Sequence, residues 1–237
     1  MPSAAEYVAA VMADGPRAFW TMQDASGNPQ DSSGNGLHMT STNGTPDYQQ
    51  QGPLGGSFSI NLAFAEFFTR ADFSTNTTRW AIELWWLPVT VGASGRTIVR
   101  TDQNGTTTGW GIGTNGNAAN SKFAGHHGNS FRTESVNTPP LNTWSHLAVG
   151  RREVTVGTNQ WFYYYNGAVD TDPVTDTAPG VPAGITQINA GNFLEARYAY
   201  IALYEKNMSP QRFAAHYEAA VGASITRAPI VYGRGAA

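Results

Sequence analysis

The 237 residues of the chain suit one large all-β domain, and 41% of them are hydrophobic, enough for a substantial core between two sheets. The net charge of −3 argues against nucleic acid as a partner, and the lack of any run of about 20 apolar residues argues against membrane insertion. The absence of cysteine excludes disulfides and thiolate metal sites. Polarity comes mainly from 25 Thr, 17 Asn and 26 Gly, a composition typical of strands and turns.

The first residues predict a short helix. Ser3 and Glu6 have the spacing of a capping box, and four apolar residues form a stripe behind it: Tyr7, Val8, Val11 and Met12. Gly15-Pro16 ends the pattern. Because this stretch carries Glu6 and Asp14 where a basic start and an apolar run would be needed, we expect no secretion signal.

The middle of the chain is dominated by strand patterns separated by turn residues. Asn166-Gly167 is the strongest hairpin signal, since both residues accept positive φ. A cluster of Pro and Asp between residues 170 and 184 predicts a long surface loop. The segment 58–68 has the apolar character of paired strands. The other predicted strands cover residues 17–22, 80–88, 96–100, 110–112 and 161–165.

A strand pattern over residues 200–204 is followed by a second predicted helix. Ser209 is placed to cap it with its hydroxyl, Pro210 fits the first helical position, and Gly222 fits the C-terminal cap. One face of this helix carries the apolar residues Phe213, Tyr217, Ala220 and Val221.

Four stretches together resemble the laminin-G-like, concanavalin A-type jelly roll of lectins and glucanases. They are D-S-S-G-N-G at 31–36, W-A-I-E-L-W-W-L-P at 80–88, N-T-W-S-H-L-A-V at 142–149, and the closing strand and helix at 200–220. In this reading Met208-Ser209 and His216 stand for the family's closing turn and histidine. The resemblance implies an all-β, two-sheet antiparallel sandwich over residues 17–222. It is flanked by the N-terminal helix at 1–16 and an extended arm at 223–237.

The opening segment has a second resemblance. Residues 7–20, Y-V-A-A-V-M-A-D-G-P-R-A-F-W, are similar to the start of jelly-roll proteins in tailed bacteriophages. This implies a non-enzymatic virion surface protein, a minor tail or capsid decoration component, whose partners are other virion proteins or copies of itself, with possible host-surface glycan adhesion. The alternative is a stand-alone, extracellular lectin-like module. A glycoside hydrolase is a third reading.

The sequence offers no catalytic constellation. The clustered E-x-D-x-x-E acids of related glucanases are absent, and so is a Gly-x-Ser-x-Gly nucleophile elbow. Glu83 stands alone in its strand, with Trp85 on the same face. This pair is either a structural glutamate beside a packed tryptophan or a polar anchor and stacking platform in a sugar groove. His126-His127, His146 and His216 are expected to be structural or exposed.

Further glycan-binding candidates are aromatic and amide residues near polar loops. Trp110 lies in a Gly/Asn-rich stretch, with Tyr163, Tyr165 and Asn166 behind it. The alternative for these aromatic side chains is packing in the core or across strands.

No cofactor is required by the sequence, although the family resemblance makes calcium possible. Asp31 and Asp24 are the candidate ligands. Many relatives carry an acidic pair before the closing strand, where this chain has Ala199-Tyr200. The alternative for Asp31 is an Asx turn, in which its carboxylate bonds its own backbone.

The arm is too apolar for a solvated tail and too broken by Pro and Gly to form its own core. We expect it to bind a neighbouring protein, with folding back onto its own domain as the alternative. Its partner-binding residues are Ile225, Ile230, Val231 and Tyr232.

Overall fold

The computed structural model describes residues 3–75, 79–90, 96–101, 110–115, 122–127, 130–155, 157–171, 174–176, 185–191 and 195–222. Two helices lie near the ends of this part of the chain, α1 (Ala4–Ala13) and α2 (Pro210–Val221). Between them lie β1 (Ala18–Trp20), β2 (Ser41–Asn43), β3 (Asp47–Gln51), β4 (Phe58–Leu62), β5 (Phe67–Thr75), β6 (Trp80–Pro88), β7 (Arg96–Thr101), β8 (Trp110–Asn115), β9 (Lys122–His127), β10 (Ser130–Glu134), β11 (Ser145–Thr155), β12 (Thr158–Tyr165), β13 (Ala168–Val169), β14 (Val174–Asp176), β15 (Ile185–Gly191) and β16 (Ala196–Tyr204).

The strands form two antiparallel sheets. Sheet I has the order β13-β12-β11-β6-β16-β4-β3, with β1 joined to β16 and β14 joined to β12. Sheet II has the order β10-β9-β8-β7-β15-β5-β2. The predicted all-β, two-sheet sandwich with helices near its ends is therefore confirmed.

Large aromatic residues fill the space between the sheets. Trp80 of sheet I stacks on Trp110 of sheet II, with ring centroids 4.3 Å apart and planes 13° apart. Trp161 meets Trp80 edge-on at 5.3 Å. All three side chains are fully buried, and burying each one contributes on the order of 3 kcal/mol to folding.

The two helices cover the other face of sheet I. Tyr7 and Val11 of α1, and Phe213 and Ala220 of α2, pack with sheet residues in a second apolar cluster. The Ser3–Glu6 capping box is present, and Gly222 ends α2 with φ of 68°. Ser209 precedes α2, but its hydroxyl oxygen does not accept the expected hydrogen bond from a backbone N–H of the first turn, so Pro210 and the tertiary contacts set this helix start. No helix in the described ranges is long and apolar enough to cross a membrane.

Three details differ from the sequence prediction. The strands within 58–68 do not pair, because β4 belongs to sheet I and β5 to sheet II, and the chain crosses between sheets at residues 63–66. Residues 174–176, within the predicted surface loop 170–184, form β14 beside β12. Residues 23–56, whose Gly, Ser, Asn and Gln content predicts turns, contain β2 and β3, whose side chains are mostly exposed at sheet edges. Strands of this kind lack the apolar alternation that would reveal them in a sequence.

Candidate functional site

A buried carboxylate lies at the centre of the interface between the helices and sheet I. Glu83, in the middle of β6, is fully buried. Its Oε1 lies 2.9 Å from Nδ1 of His216 on α2, and its Oε2 lies 3.0 Å from Nε2 of His146 on β11. Tyr204 on β16 donates its hydroxyl proton to the same carboxylate. Three strands and one helix are thus joined through one side chain.

His216 continues this network to α1. Its Nε2 lies 2.9 Å from Oδ2 of Asp14, the residue that caps the C-terminus of α1. Arg212 donates from Nε to the same oxygen at 2.6 Å. Because both ring nitrogens of His216 face carboxylate oxygens, both must carry protons, and the ring is a cation. We call Glu83, Asp14, His146, Tyr204, His216 and Arg212 the carboxylate cluster.

The protonation of the cluster follows from these contacts. Burial alone would raise the pKa of Glu83, but the positive charge of His216 and the hydrogen bonds from both histidines hold it well below its usual range. Burial would lower the pKa of His216, but the charges of Glu83 and Asp14 raise it. Burial and the charge of Glu83 raise the pKa of Tyr204.

The cluster has the chemistry of a structural clamp. Glu83, His146 and His216 are each 0% exposed, so no substrate atom reaches them. His216 was expected to lie at a helix surface or dock on the sheet, and it docks. Trp85 is 4% exposed and lies beneath the helices, stacked on Tyr217 at 5.8 Å. The structural interpretation of Glu83 and Trp85 therefore replaces that of an anchor in a sugar groove.

The other aromatic glycan candidates also lie in the interior. Trp110 and Tyr163 are 0% exposed and belong to the core between the sheets, so neither presents a ring face to a sugar. Tyr165 is partly buried against the same core, and its hydroxyl lies 3.2 Å from Oγ of Ser145. Asn166 is the turn residue expected from the hairpin signal, with φ of 49°, and its side chain accepts a hydrogen bond from His146 N–H.

The calcium candidates do not have the geometry of a metal site. Asp31 accepts four hydrogen bonds, from the backbone N–H groups of Phe19, Ser33 and Leu37 and from the Ser33 hydroxyl. Burial would raise the pKa of Asp31, but these hydrogen bonds lower it. The carboxylate oxygens of Asp31 therefore accept hydrogen bonds from nearby backbone N–H groups, as the Asx-turn interpretation predicts. An arrangement in which hydrogen-bond donors surround the carboxylate does not fit a bound cation. Burial raises the pKa of Asp24. Among the described residues no group of three His, Asp or Glu side chains is arranged so that it could hold a metal ion.

The Ala199-Tyr200 position has its own structural role. The register between β16 and β6 shifts there, and Tyr200 adopts φ of 53° inside the strand. Its ring lies 5.2 Å from that of Tyr7. A bulge that packs under α1 thus occupies the place where many relatives have an acidic pair.

His126 and His127 are in β9, and the four partner-binding residues of the arm lie outside the described residues.

Strand register aligns a different set of polar residues across sheet II. Thr69 pairs with Asn189, Asn189 with Arg100, and Arg100 with Gly111. The line continues to Ser41 on one side and to His126 and Phe131 on the other. We call these seven positions the polar row: Ser41, Thr69, Asn189, Arg100, Gly111, His126 and Phe131. They cross all seven strands of the sheet, a span of about 29 Å at normal strand spacing.

Three positions of the polar row belong to the face of sheet II that is turned away from the core. Phe68, Val99 and Ile112 adjoin Thr69, Arg100 and Gly111 along their strands, and all three lie in the core. Because neighbouring strand residues point to opposite faces, Thr69, Arg100 and Gly111 lie on the outer face. A Cβ on Gly111 would lie 2.3 Å from the carbonyl oxygen of Val99, so the position next to Arg100 in the row cannot carry a side chain. Nothing in the sequence marks this row, because its members come together only through strand pairing.

Comparison with known proteins identifies structural likeness only. A scan against protein-family models matched none, and a search of curated proteins found none significantly similar. Domain 4 of a GH43 extracellular arabinanase from Geobacillus stearothermophilus, solved with arabinotriose, superposes with a TM-score of 0.65 at 15% identity, over 85% of this chain and 98% of that one.

Botulinum neurotoxin binding domains are also similar. The binding domain of neurotoxin DC, in complex with rat synaptotagmin II, gives a TM-score of 0.61 at 14% identity, over 87% of this chain and 52% of that one. A structure of neurotoxin type C, whose cell entry depends on two ganglioside molecules, gives 0.63 at 14% identity, over 89% and 52%. This chain therefore spans about half the length of the neurotoxin chains. At these identities the likeness shows a shared fold, a two-sheet β-sandwich.

Proposed function

We propose that the chain is a non-catalytic recognition module that binds an extended oligosaccharide along the polar row. The observation that carries this proposal is the register of sheet II. It aligns an asparagine, an arginine, a glycine, a histidine and a phenylalanine, and at one end of the line a serine and a buried threonine whose hydroxyls contact each other. Sugar sites combine a few placed polar groups with aromatic surface, and a line about 29 Å long suits a chain of several sugar units.

The absence of acids from the row supports binding rather than hydrolysis. Glycoside hydrolysis uses two carboxyl groups on either side of the scissile bond. The polar row contains no Asp or Glu, and Glu83 is buried on the far side of sheet I with its oxygens engaged by His146, His216 and Tyr204. A lone cation in the row, Arg100, favours a neutral or acidic glycan.

The structural neighbours support the same class of function. The arabinanase domain was solved with arabinotriose, and neurotoxin type C depends on ganglioside molecules for cell entry. Both are binding structures built on this fold. Arabinotriose and a sialylated oligosaccharide are therefore suitable first probes, one neutral and one acidic.

Calorimetric titration of the whole chain with these two probes, after a glycan array, tests the proposal. Arg100→Ala and Asn189→Ala should each weaken binding at least about tenfold, the loss expected for a central polar contact. Arg152→Ala is the matched control, because Arg152 lies on sheet I against Phe162. Equal weakening in all three variants, or no binding of any arrayed glycan, refutes the proposal.

A virion surface role is the second candidate, and the similarity of residues 7–20 to bacteriophage proteins favours it. A tail-associated or capsid-decorating position is compatible with oligosaccharide binding, since host-surface glycans are exposed to both. Copurification of the chain with assembled particles, and its position in particle images, test this role. Recovery of the chain only in the particle-free fraction overturns it.

A further inference from the structure

We infer that the arm, residues 223–237, docks on the apolar end of its own sandwich. The docking surface consists of four exposed apolar side chains: Phe64 (66% exposed), Val136 (65%), Leu141 (43%) and Val169 (45%). We call these four residues the apolar rim. The inference concerns an interaction surface and is independent of oligosaccharide binding.

Hydrogen bonds and register place the rim residues at one end of the sandwich. Leu62, two residues before Phe64, pairs with Ala196, which also pairs with Pro88. The carbonyl of Pro88 accepts from Asn142 N–H at 2.8 Å, which brings the segment containing Leu141 to the same end.

The other two rim residues are linked in the same way. Val136 N–H donates to Oδ2 of Asp170 at 2.6 Å, and Asp170 follows Val169. Val169 pairs with Tyr164, near the end of β12. Exposed apolar side chains gathered at one end of a domain indicate an interaction site more strongly than the same side chains scattered singly.

The arm begins beside this surface. The last turns of α2 lie against the Asn166–Gly167 turn, where a Cβ on Gly167 would be only 2.7 Å from Cβ of Tyr217. That turn leads directly into β13, which carries Val169. Gly222, the last residue before the arm, therefore lies next to the apolar rim. The eight residues from Gly222 to Ile230 can span up to about 26 Å, more than five strand spacings.

The composition of the arm complements the surface. It carries four large apolar residues, two arginines, Arg227 and Arg234, and no acid. Acids outnumber bases among the described residues at the rim end. The acids are Asp47, Glu66, Glu134, Asp170 and Glu195, and the bases are Arg96, Lys122 and Arg197. Asp170 and Glu66 accept hydrogen bonds from backbone N–H groups, which leave their negative charge uncompensated.

The same chain is favoured over a second copy as the source of the arm. A tether of this length gives an effective concentration on the order of millimolar, far above that of a protein in dilute solution. An extended segment on this surface would bury apolar side chains of both partners, and its backbone would be free to pair with a sheet edge.

Disulfide trapping tests the inference cleanly, because the chain contains no cysteine. The double variant Val169→Cys/Ile230→Cys is oxidised mildly at low protein concentration, and the product is followed by non-reducing electrophoresis and peptide mapping. The matched control is Val154→Cys/Ile230→Cys. Val154 is also an exposed valine, at 41%, but it lies near the opposite end of β11.

An intrachain disulfide to position 169 should form at least about tenfold faster than to position 154, since docking raises the local concentration at one end only. Adding Arg227→Glu and Arg234→Glu should slow the first reaction toward the rate of the control. Equal rates for the two positions show an undocked arm and overturn the inference. Disulfide-linked dimers as the main product show docking on a second copy and overturn it as well.

Discussion

Neutralising Glu83 is expected to destabilise the fold strongly. In Glu83→Gln the buried cationic ring of His216 loses the carboxylate that faces its Nδ1 at 2.9 Å and keeps only Asp14, which faces its Nε2. Removal of one member of a buried ion pair typically costs about 3–5 kcal/mol. A Coulomb estimate for charges about 4 Å apart at an effective dielectric of about 20 gives about 4 kcal/mol, which agrees. Because Asp14 still pairs with His216, we expect a loss at the lower end of this range, about 3 kcal/mol in the free energy of unfolding.

The pH dependence identifies the cluster as the cause. Glu83 has a depressed folded pKa, so its contribution is present above the unfolded value and is lost as pH falls through the folded pKa. His216 has a raised folded pKa, so its contribution is full below the unfolded value and is lost as pH rises through the folded pKa. The cluster stabilises most between the two unfolded values, 4.5 and 6.5.

Urea unfolding followed by tryptophan fluorescence at several pH values measures this effect. The difference between wild type and Glu83→Gln should be largest near pH 5.5 and should narrow in alkali, as His216 loses its proton. Glu205→Gln is the matched control, because Glu205 is exposed and pairs with Arg17 at 3.7 Å, an arrangement worth at most about 1 kcal/mol. A Glu83→Gln variant as stable as this control, with an unchanged pH profile, would refute the reasoning.

Three further variants test the architecture by urea unfolding. Asp31→Ala should lower the free energy of unfolding by about 2–4 kcal/mol, because four hydrogen-bond donors lose their acceptor. Calcium or a chelator should leave the melting temperature of the wild type unchanged, and stabilisation by calcium would contradict the site geometry. Gly125→Ala should lower the free energy of unfolding by about 1–3 kcal/mol, because its Cβ would lie 2.5 Å from the Trp161 ring. Gly150→Ala is the control and should be near neutral, because its Cβ would meet only ordinary contacts at 3.6 Å. Gly222→Ala should cost about 1 kcal/mol, since φ of 68° disfavours a Cβ; an unchanged stability would show that α2 ends differently.

Local chemistry explains which features the sequence predicts well. The capping box of Ser3 and Glu6, the left-handed Gly222 and the Asn166-Gly167 turn each depend on a few adjacent residues, and all three are present in the structure. The two-sheet fold follows from strand composition together with the family resemblance. Such features need no knowledge of which distant segments meet.

Sites that depend on distant pairing could not be read in the same way. Trp110 lies among glycines and asparagines, which suggests exposure, but the register of β8 turns it onto Trp80. Glu83 and His216 are 133 residues apart, and only the docking of α2 on sheet I joins them. The polar row is assembled from seven separate strands, so no window of sequence contains it.

The opening segment illustrates how a sequence resemblance can report on folding rather than location. Tyr7 is buried against Trp85 and Tyr200, and Asp14 binds His216 and Arg212. Gly15 has φ of 54°, which glycine adopts without strain. The Phe-Trp pair that closes the segment, residues 19–20, lies in the two apolar clusters on either side of sheet I.

These positions of the opening segment therefore fix α1 and the first strand on sheet I. Their contacts are structural, and they do not depend on whether the chain belongs to a virion or to a secreted lectin. The same holds for Glu83 and His216, which the family resemblance also includes. Since the side chains of these residues make contacts that stabilise the fold, the features that distinguish function must lie on the surface. The polar row, apart from Gly111 and the buried Thr69, and the apolar rim are therefore the regions where variants should alter binding without altering stability.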